Sequence, residues 1–113
     1  MKRFPVIFLT LISASAQEIK LPDAVDFNDH IQPLISEKCY HCHGPDSSTR
    51  APKKNPLRLD REEYAFQKRA NGEPSIIKGD AEASEFFKRI TTSDVDDVMP
   101  PPESHKKPFD ADE

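Results

Sequence analysis

Cys39-Tyr40-His41-Cys42-His43 gathers the only two cysteines of the chain, and two of its four histidines, into five consecutive residues. The Cys-x-x-Cys-His spacing is the attachment signature for c-type haem. Each thiol adds to a vinyl group, and the two-residue gap lets both sulfurs reach the same porphyrin edge. The histidine directly after the second cysteine then stands under the iron as the proximal ligand, which is the place of His43. Other chemistries use the same atoms. Zinc needs four ligands in a tetrahedral array; Cys39, Cys42 and one of His41 or His43 would start one, but no second Cys-x-x-Cys or histidine pair follows. A thioredoxin-type disulfide normally follows a strand and opens a helix, whereas here the preceding segment is patterned as a helix and Gly44-Pro45 follows at once. A structural Cys39–Cys42 bridge closes too small a loop to stabilise much.

A six-coordinate iron needs a second ligand on the opposite face, and a thioether raises the reduction potential. Apart from Met1, Met99 is the only methionine. It lies far downstream, and Pro100-Pro101-Pro102 after it stiffens the segment and removes three backbone donors. His105, six residues on, is the alternative ligand and would give a lower potential. His41 lies inside the attachment loop and cannot reach the other face; His30 sits on the first helix.

The elements that must position these residues are short. Asp26 is a helix N-cap with Asp29 at the acidic third position. Phe27, Ile31, Leu34 and Ile35 recur on one helical face. Pro33 predicts a kink or break inside that run, and Lys38 closes it just before Cys39. Residues 44–56, with three prolines, read as loop. Leu57 and Leu59 alternate with Arg58 and Asp60 as a short extended piece. Asp60 with Glu63 predicts a capped helix through about Arg69, stopped by Asn71-Gly72. Asp80 is a candidate cap for a further helix with Ala83, Phe86, Phe87 and Ile90 on its apolar side. Asp110 with Glu113 is how a helix begins, so the expectation is a piece of a longer protein whose C-terminal helix is truncated.

Met1-Lys2-Arg3, the mostly apolar Phe4 to Ile12 and Ser13-Ala14-Ser15-Ala16 follow the order of a secretory signal peptide. The expected division is 1–16 signal peptide, 17–24 linker and 25–113 one small domain. The implied location is across the cytoplasmic membrane, periplasmic or secreted. The apolar run is too short to span a bilayer. Without residues 1–16 the chain carries 14 basic against 20 acidic residues, a net charge of −6. That balance lacks the basic footprint of a nucleic-acid binder and favours a partner with a basic patch. So polar a chain, with 11 prolines, buries a modest core and needs a disulfide, metal or cofactor to help hold it.

The chain resembles the planctomycete-type cytochrome c domain, a class I-like c-type cytochrome family. The matching pieces are Val25-Asp26-Phe27, Ile31-Gln32-Pro33-Leu34, Cys39 to Asp46, Leu57-Arg58-Leu59-Asp60, Ile77-Lys78-Gly79-Asp80, Ser84, Arg89-Ile90 and Met99-Pro100-Pro101-Pro102-Glu103. The family usually has proline where Lys78 stands, and continues into a final helix that packs on the first. The resemblance implies an all-α fold, a small cytochrome c-like helical domain around one covalent haem c, its iron ligated by His43 and Met99. It also implies fusion to further domains and an unidentified redox partner protein. Within that fold Pro45 is expected against the proximal haem face, its carbonyl receiving the His43 ring N–H. Arg58 is expected to meet a haem propionate, and Phe27, Leu34, Leu59, Phe86, Phe87 and Ile90 to line the pocket. Two axial ligands leave no vacant iron position, so the expected role is one-electron transfer and not enzymatic catalysis. A labile Met99 would instead give a haem sensor or peroxidase-like module, and a chain without haem a Cys-x-x-Cys redox module.

Overall fold

The computed structural model describes residues 20–113; the signal-peptide assignment and the first residues of the linker lie outside the described residues. Asp26 is extended, and its carboxylate accepts the Asp29 N–H at 3.0 Å, so the chain enters its first helix through the expected cap. Phe27–Ile31 winds as a wide π-type turn and passes into helix α1, Gln32–Lys38. Pro33 stands in the first turn of α1, where its missing N–H needs no intrahelical partner. The irregularity expected at Pro33 therefore appears just ahead of it, as a change of winding. The Cys39 N–H closes α1 on the Ile35 carbonyl at 2.9 Å, and α2, Tyr40–His43, follows after this single junction residue.

The loop after α2 is stitched by its own side chains. Arg50 donates to the carbonyls of Gly44 at 3.0 Å and Pro45 at 2.7 Å, and the Thr49 hydroxyl donates to the His41 carbonyl. Helix α3 is only Glu62–Ala65, shorter than the sequence pattern predicts. The expected Asp60 cap is not made, because Arg58 takes both of its carboxylate oxygens, at 3.0 and 2.6 Å. The chain then doubles back through Asn71-Gly72, with Lys68 and Pro74 bridged. Gly72 has φ +87°, a backbone state that glycine adopts without a side-chain penalty. Asp80 caps a turn through the Ala83 N–H at 3.0 Å, and α4, Glu85–Thr91, begins only after Ser84. The buried Ser84 hydroxyl accepts the Ile77 N–H at 2.9 Å and donates to the Asp80 carbonyl at 2.7 Å, fastening α4 to the segment before it.

Ile35, Cys39, Leu59 and Ala65 are the buried core, with Ile31, Tyr40, Leu57, Phe66, Ile76, Phe86 and Phe109 packed around them. So small a core is marginal on its own. A polar contact crosses it at the far end of α1. Lys38 is buried, and its ammonium donates to the Pro108 carbonyl at 3.1 Å and the Glu113 carboxylate at 2.6 Å, 4.7 Å above the Phe109 ring. Of the reciprocal capping bonds expected between Asp110 and Glu113, one is made. The Asp110 N–H donates to Glu113 at 3.1 Å, and the Asp112 N–H to Asp110 at 3.2 Å. Among the described residues there are short helices and no strand, as expected of a small helical domain.

Candidate cofactor-attachment site

Cys39 sits at the α1–α2 junction, buried, and Cys42 lies three residues on along α2, half-buried; both thiols are free. The following segment wraps this turn through its backbone. The Ala51 N–H donates to the Cys42 carbonyl at 2.9 Å, and the Leu59 N–H to the His43 carbonyl at 2.8 Å. Gly44 allows the chain to leave α2 so closely: a Cβ there would overlap the Tyr40 carbonyl oxygen, with Tyr40 Cα 2.9 Å away.

The His43 ring is oriented by Nδ1, 3.1 Å from the Leu57 carbonyl oxygen. A carbonyl only accepts, so Nδ1 carries the hydrogen and Nε2 keeps its lone pair. Burial holds the His43 imidazole below the ordinary histidine range, against the opposing pull of the backbone carbonyls, and so favours the neutral, ligating form. Burial also pushes the Cys39 thiol up to about 11, with nearby Lys38 pulling the other way. Redox-active Cys-x-x-Cys pairs depend on a lowered thiol pKa. The opposite shift here, with no strand before Cys39 among the described residues, weighs against the disulfide-exchange chemistry.

The carbonyl on His43 is not the one expected. Leu57, not Pro45, supplies the carbonyl that orients His43, because the Pro45 carbonyl is taken by Arg50 and Pro45 itself is exposed. Arg58 is already paired with Asp60 and lies 4.3 Å over the Tyr64 ring. Met99 is half-buried beyond α4, its N–H donating to the Arg89 carbonyl at 2.9 Å. His30 uses Nδ1 to accept the Asp26 N–H at 2.8 Å, and His41 and His105 are exposed.

An apolar cavity of about 600 Å³ lies beside the core, walled by Phe27, Ile31, Ile35, Leu59, Phe66 and Phe86 among others. Three of the six expected pocket residues, Phe27, Leu59 and Phe86, belong to that wall; Leu34, Phe87 and Ile90 do not. Nor do Cys39, Cys42, His43 and Met99, although Ile35 and Leu59 join the wall to Cys39 through the core. Its size is that of a site for an organic cofactor.

Leu57, Arg50 and Arg69, whose guanidinium donates to the Asn55 and Pro56 carbonyls just ahead of Leu57, were not legible as site residues. A backbone carbonyl has no sequence signature, and the two arginines stand alone, outside any motif.

Two free thiols three residues apart, Cys39 at the α1–α2 junction and Cys42 on α2, followed at once by the His43 imidazole, fit the donor set of a covalently attached haem. They define the class, a c-type cytochrome. The family model described as planctomycete cytochrome C matches residues 39–103, more than half of the chain, and the chain belongs to that family. Haem-based electron transfer is the coarse role that membership carries. No curated protein and no solved structure matches the chain. No helix among the described residues is long and apolar enough to cross a membrane.

Proposed function

We propose that the chain is an exported c-type cytochrome domain that carries one covalent haem and transfers single electrons. Cys39 and Cys42 hold the haem as thioethers, His43 Nε2 is the proximal ligand and Met99 the distal one. The observation that carries this reading is the His43–Leu57 hydrogen bond, which orients the imidazole through Nδ1 directly after two unpaired thiols. Bound haem supplies a metal centre that cycles between ferrous and ferric states. The protein's part is to hold and shield it. Leu57 orients His43, the thiols would fix the porphyrin edge, and Ile35 and Leu59, packed with Cys39 in the core, would keep water from that edge, which favours a raised potential. Arg58 meets a haem propionate only by sharing a guanidinium already forked onto Asp60. Export rests on the leader at residues 1–16, and the electron partners are a separate redox protein or domains fused to this one.

The test is expression of the full chain with haem-maturation machinery, followed by a pyridine haemochrome spectrum of the denatured protein. A c-type spectrum that survives acid–acetone extraction supports the reading; a colourless product overturns it. Met99→Ala should lower the reduction potential by on the order of a hundred millivolts, well inside the roughly 0.8 V that axial ligands span. It should also let the reduced protein bind carbon monoxide. An unchanged potential and spectrum would dismiss Met99 in favour of His105, and carbon monoxide binding by the unaltered protein would favour a sensor or peroxidase-like module.

A further inference from the structure

Arg69 grips two successive peptide units of the loop that orients His43. Its Nη2 donates to the Asn55 carbonyl at 2.6 Å and its Nη1 to the Pro56 carbonyl at 3.2 Å. The next residue is Leu57, whose carbonyl accepts the His43 Nδ1–H at 3.1 Å. Arg69 is itself held at both ends of its peptide. Its N–H donates to the Glu73 carbonyl at 2.9 Å, and its carbonyl accepts the Gly72 N–H at 2.9 Å. The tight turn at 68–74 thus fixes the guanidinium, and the guanidinium fixes residues 55–56.

The gripped segment has little else to define it. Residues 52–55 are exposed, and Pro52 and Pro56 have no N–H to donate. Asn55 has φ +56°, a left-handed state that a non-glycine residue keeps only when its surroundings hold it. The Arg69 guanidinium donates to the carbonyl of that residue and to the carbonyl of the one after it.

We infer that Arg69 is a positioning residue for the proximal imidazole, acting through Asn55, Pro56 and the Leu57 carbonyl. This rests on His43 as the proximal ligand. An Nδ1–H that donates well makes the ring more basic and Nε2 a stronger donor, and hydrogen bonding around a ligand is a lever on reduction potential. A loosened Leu57 carbonyl weakens that donation, disfavours the ferric state and raises the potential. Loss of the Arg69 charge works the other way, because a nearby cation disfavours ferric iron. The informative variant is therefore Arg69→Lys, which keeps the charge and loses the fork.

The experiment compares haem-loaded wild type, Arg69→Lys and Arg69→Ala by spectroelectrochemistry and by NMR of the His43 Nδ1–H in the reduced state. Arg69→Lys should show a higher potential than wild type and roughly tenfold faster exchange of that proton, the loss of most of one net hydrogen bond. Arg69→Ala should exchange as fast but show a potential below that of Arg69→Lys. Gly72→Ala strains the turn from a residue that touches neither loop nor histidine, and should speed exchange in the same direction, so it serves if Arg69→Lys does not fold. Wild-type potential and exchange in Arg69→Lys, or in Gly72→Ala where that is the variant obtained, overturns the inference. Failure of the wild type to take up haem overturns instead the reading beneath it.

Discussion

His43 owes its usable nitrogen to a neighbour that no motif names. The five-residue attachment run was readable because it depends on side-chain identity and spacing alone. The choice of tautomer depends on where a main-chain oxygen falls fourteen residues later, and Leu57 and Pro45 are equally plausible until the loop is folded. Arg58 shows the same limit. As a sequence letter it is a cation available to a propionate; in the fold it is paired with Asp60, both side chains mostly buried (18% and 10% exposed). That pairing makes a prediction at this scale. The hydrogen bonds from Arg58 hold the Asp60 carboxyl below the usual carboxylate range, with burial opposing. A depressed folded-state pKa adds stability that is fully present above the ordinary aspartate value of about 3.9 and is lost as pH falls below it toward the folded value. Asp60→Asn should therefore be less stable than wild type at pH 6, and the gap should shrink steadily below about pH 4. Thermal unfolding of both proteins across pH 2–7 reads it directly, and a gap that does not change with pH would rule out the ion pair as its source.

Whether an element forms was easier to read than where it begins. The cap at Asp26 is made as the pattern requires, on the Asp29 N–H, while Asp110 accepts the Asp112 N–H with one carboxylate oxygen and pairs with Lys107 through the other. At Asp60 the same pattern is present, but Arg58 two residues earlier takes both oxygens, and the helix contracts to Glu62–Ala65. At Asp80 the cap forms on a turn, and α4 waits for Ser84, whose buried hydroxyl accepts the Ile77 N–H and donates to the Asp80 carbonyl. That the C-terminal segment packs on α1 was implied only by the family resemblance, and the side chain that makes the contact was not legible: Lys38 reads merely as the end of the helix, yet its ammonium is buried against Pro108, Phe109 and Glu113. Since Lys38 is the last residue of α1 and adjoins Cys39, this contact ties residues 108–113 to the helix that presents the first thiol. Lys38→Ala removes both hydrogen bonds and the ring contact and should destabilise the fold by about 1–3 kcal/mol. Lys38→Met keeps the stem packed on Phe109 and places no charge in the core, so it should lose clearly less, as apolar replacement of a buried charge often does. Denaturant unfolding of the two variants separates the cases; equal losses would mean that the hydrogen bonds alone, and not packing, make the contact.

For the whole molecule the decisive property is charge, since the core is too small to say anything about partners. The chain carries 16 basic against 20 acidic side chains, a net charge of −4, and −6 if residues 1–16 are removed. Among the described residues many of the acidic groups are internally paired, as at Glu85 and Asp97 with Arg89 and at Glu62 with Lys78. Such exposed pairs contribute little to stability, and pairing within the molecule leaves its net charge, and hence its long-range field, unchanged. An electron-transfer domain with this field should react faster with a small cationic oxidant than with an anionic one of equal driving force. The preference should be steep in dilute salt, where the Debye length is about 30 Å, and weak at 0.15 M, where it is about 8 Å. A fall on the order of tenfold in the cation-to-anion rate ratio between those conditions is within the usual range of electrostatic steering. Stopped-flow oxidation of the reduced, haem-loaded protein by hexaamminecobalt and by ferricyanide, corrected for their different potentials, measures that ratio. A ratio independent of salt would mean that electrons leave through a patch whose local charge differs from that of the molecule. In that case the preference for a basic partner, drawn from net charge, would fail with it.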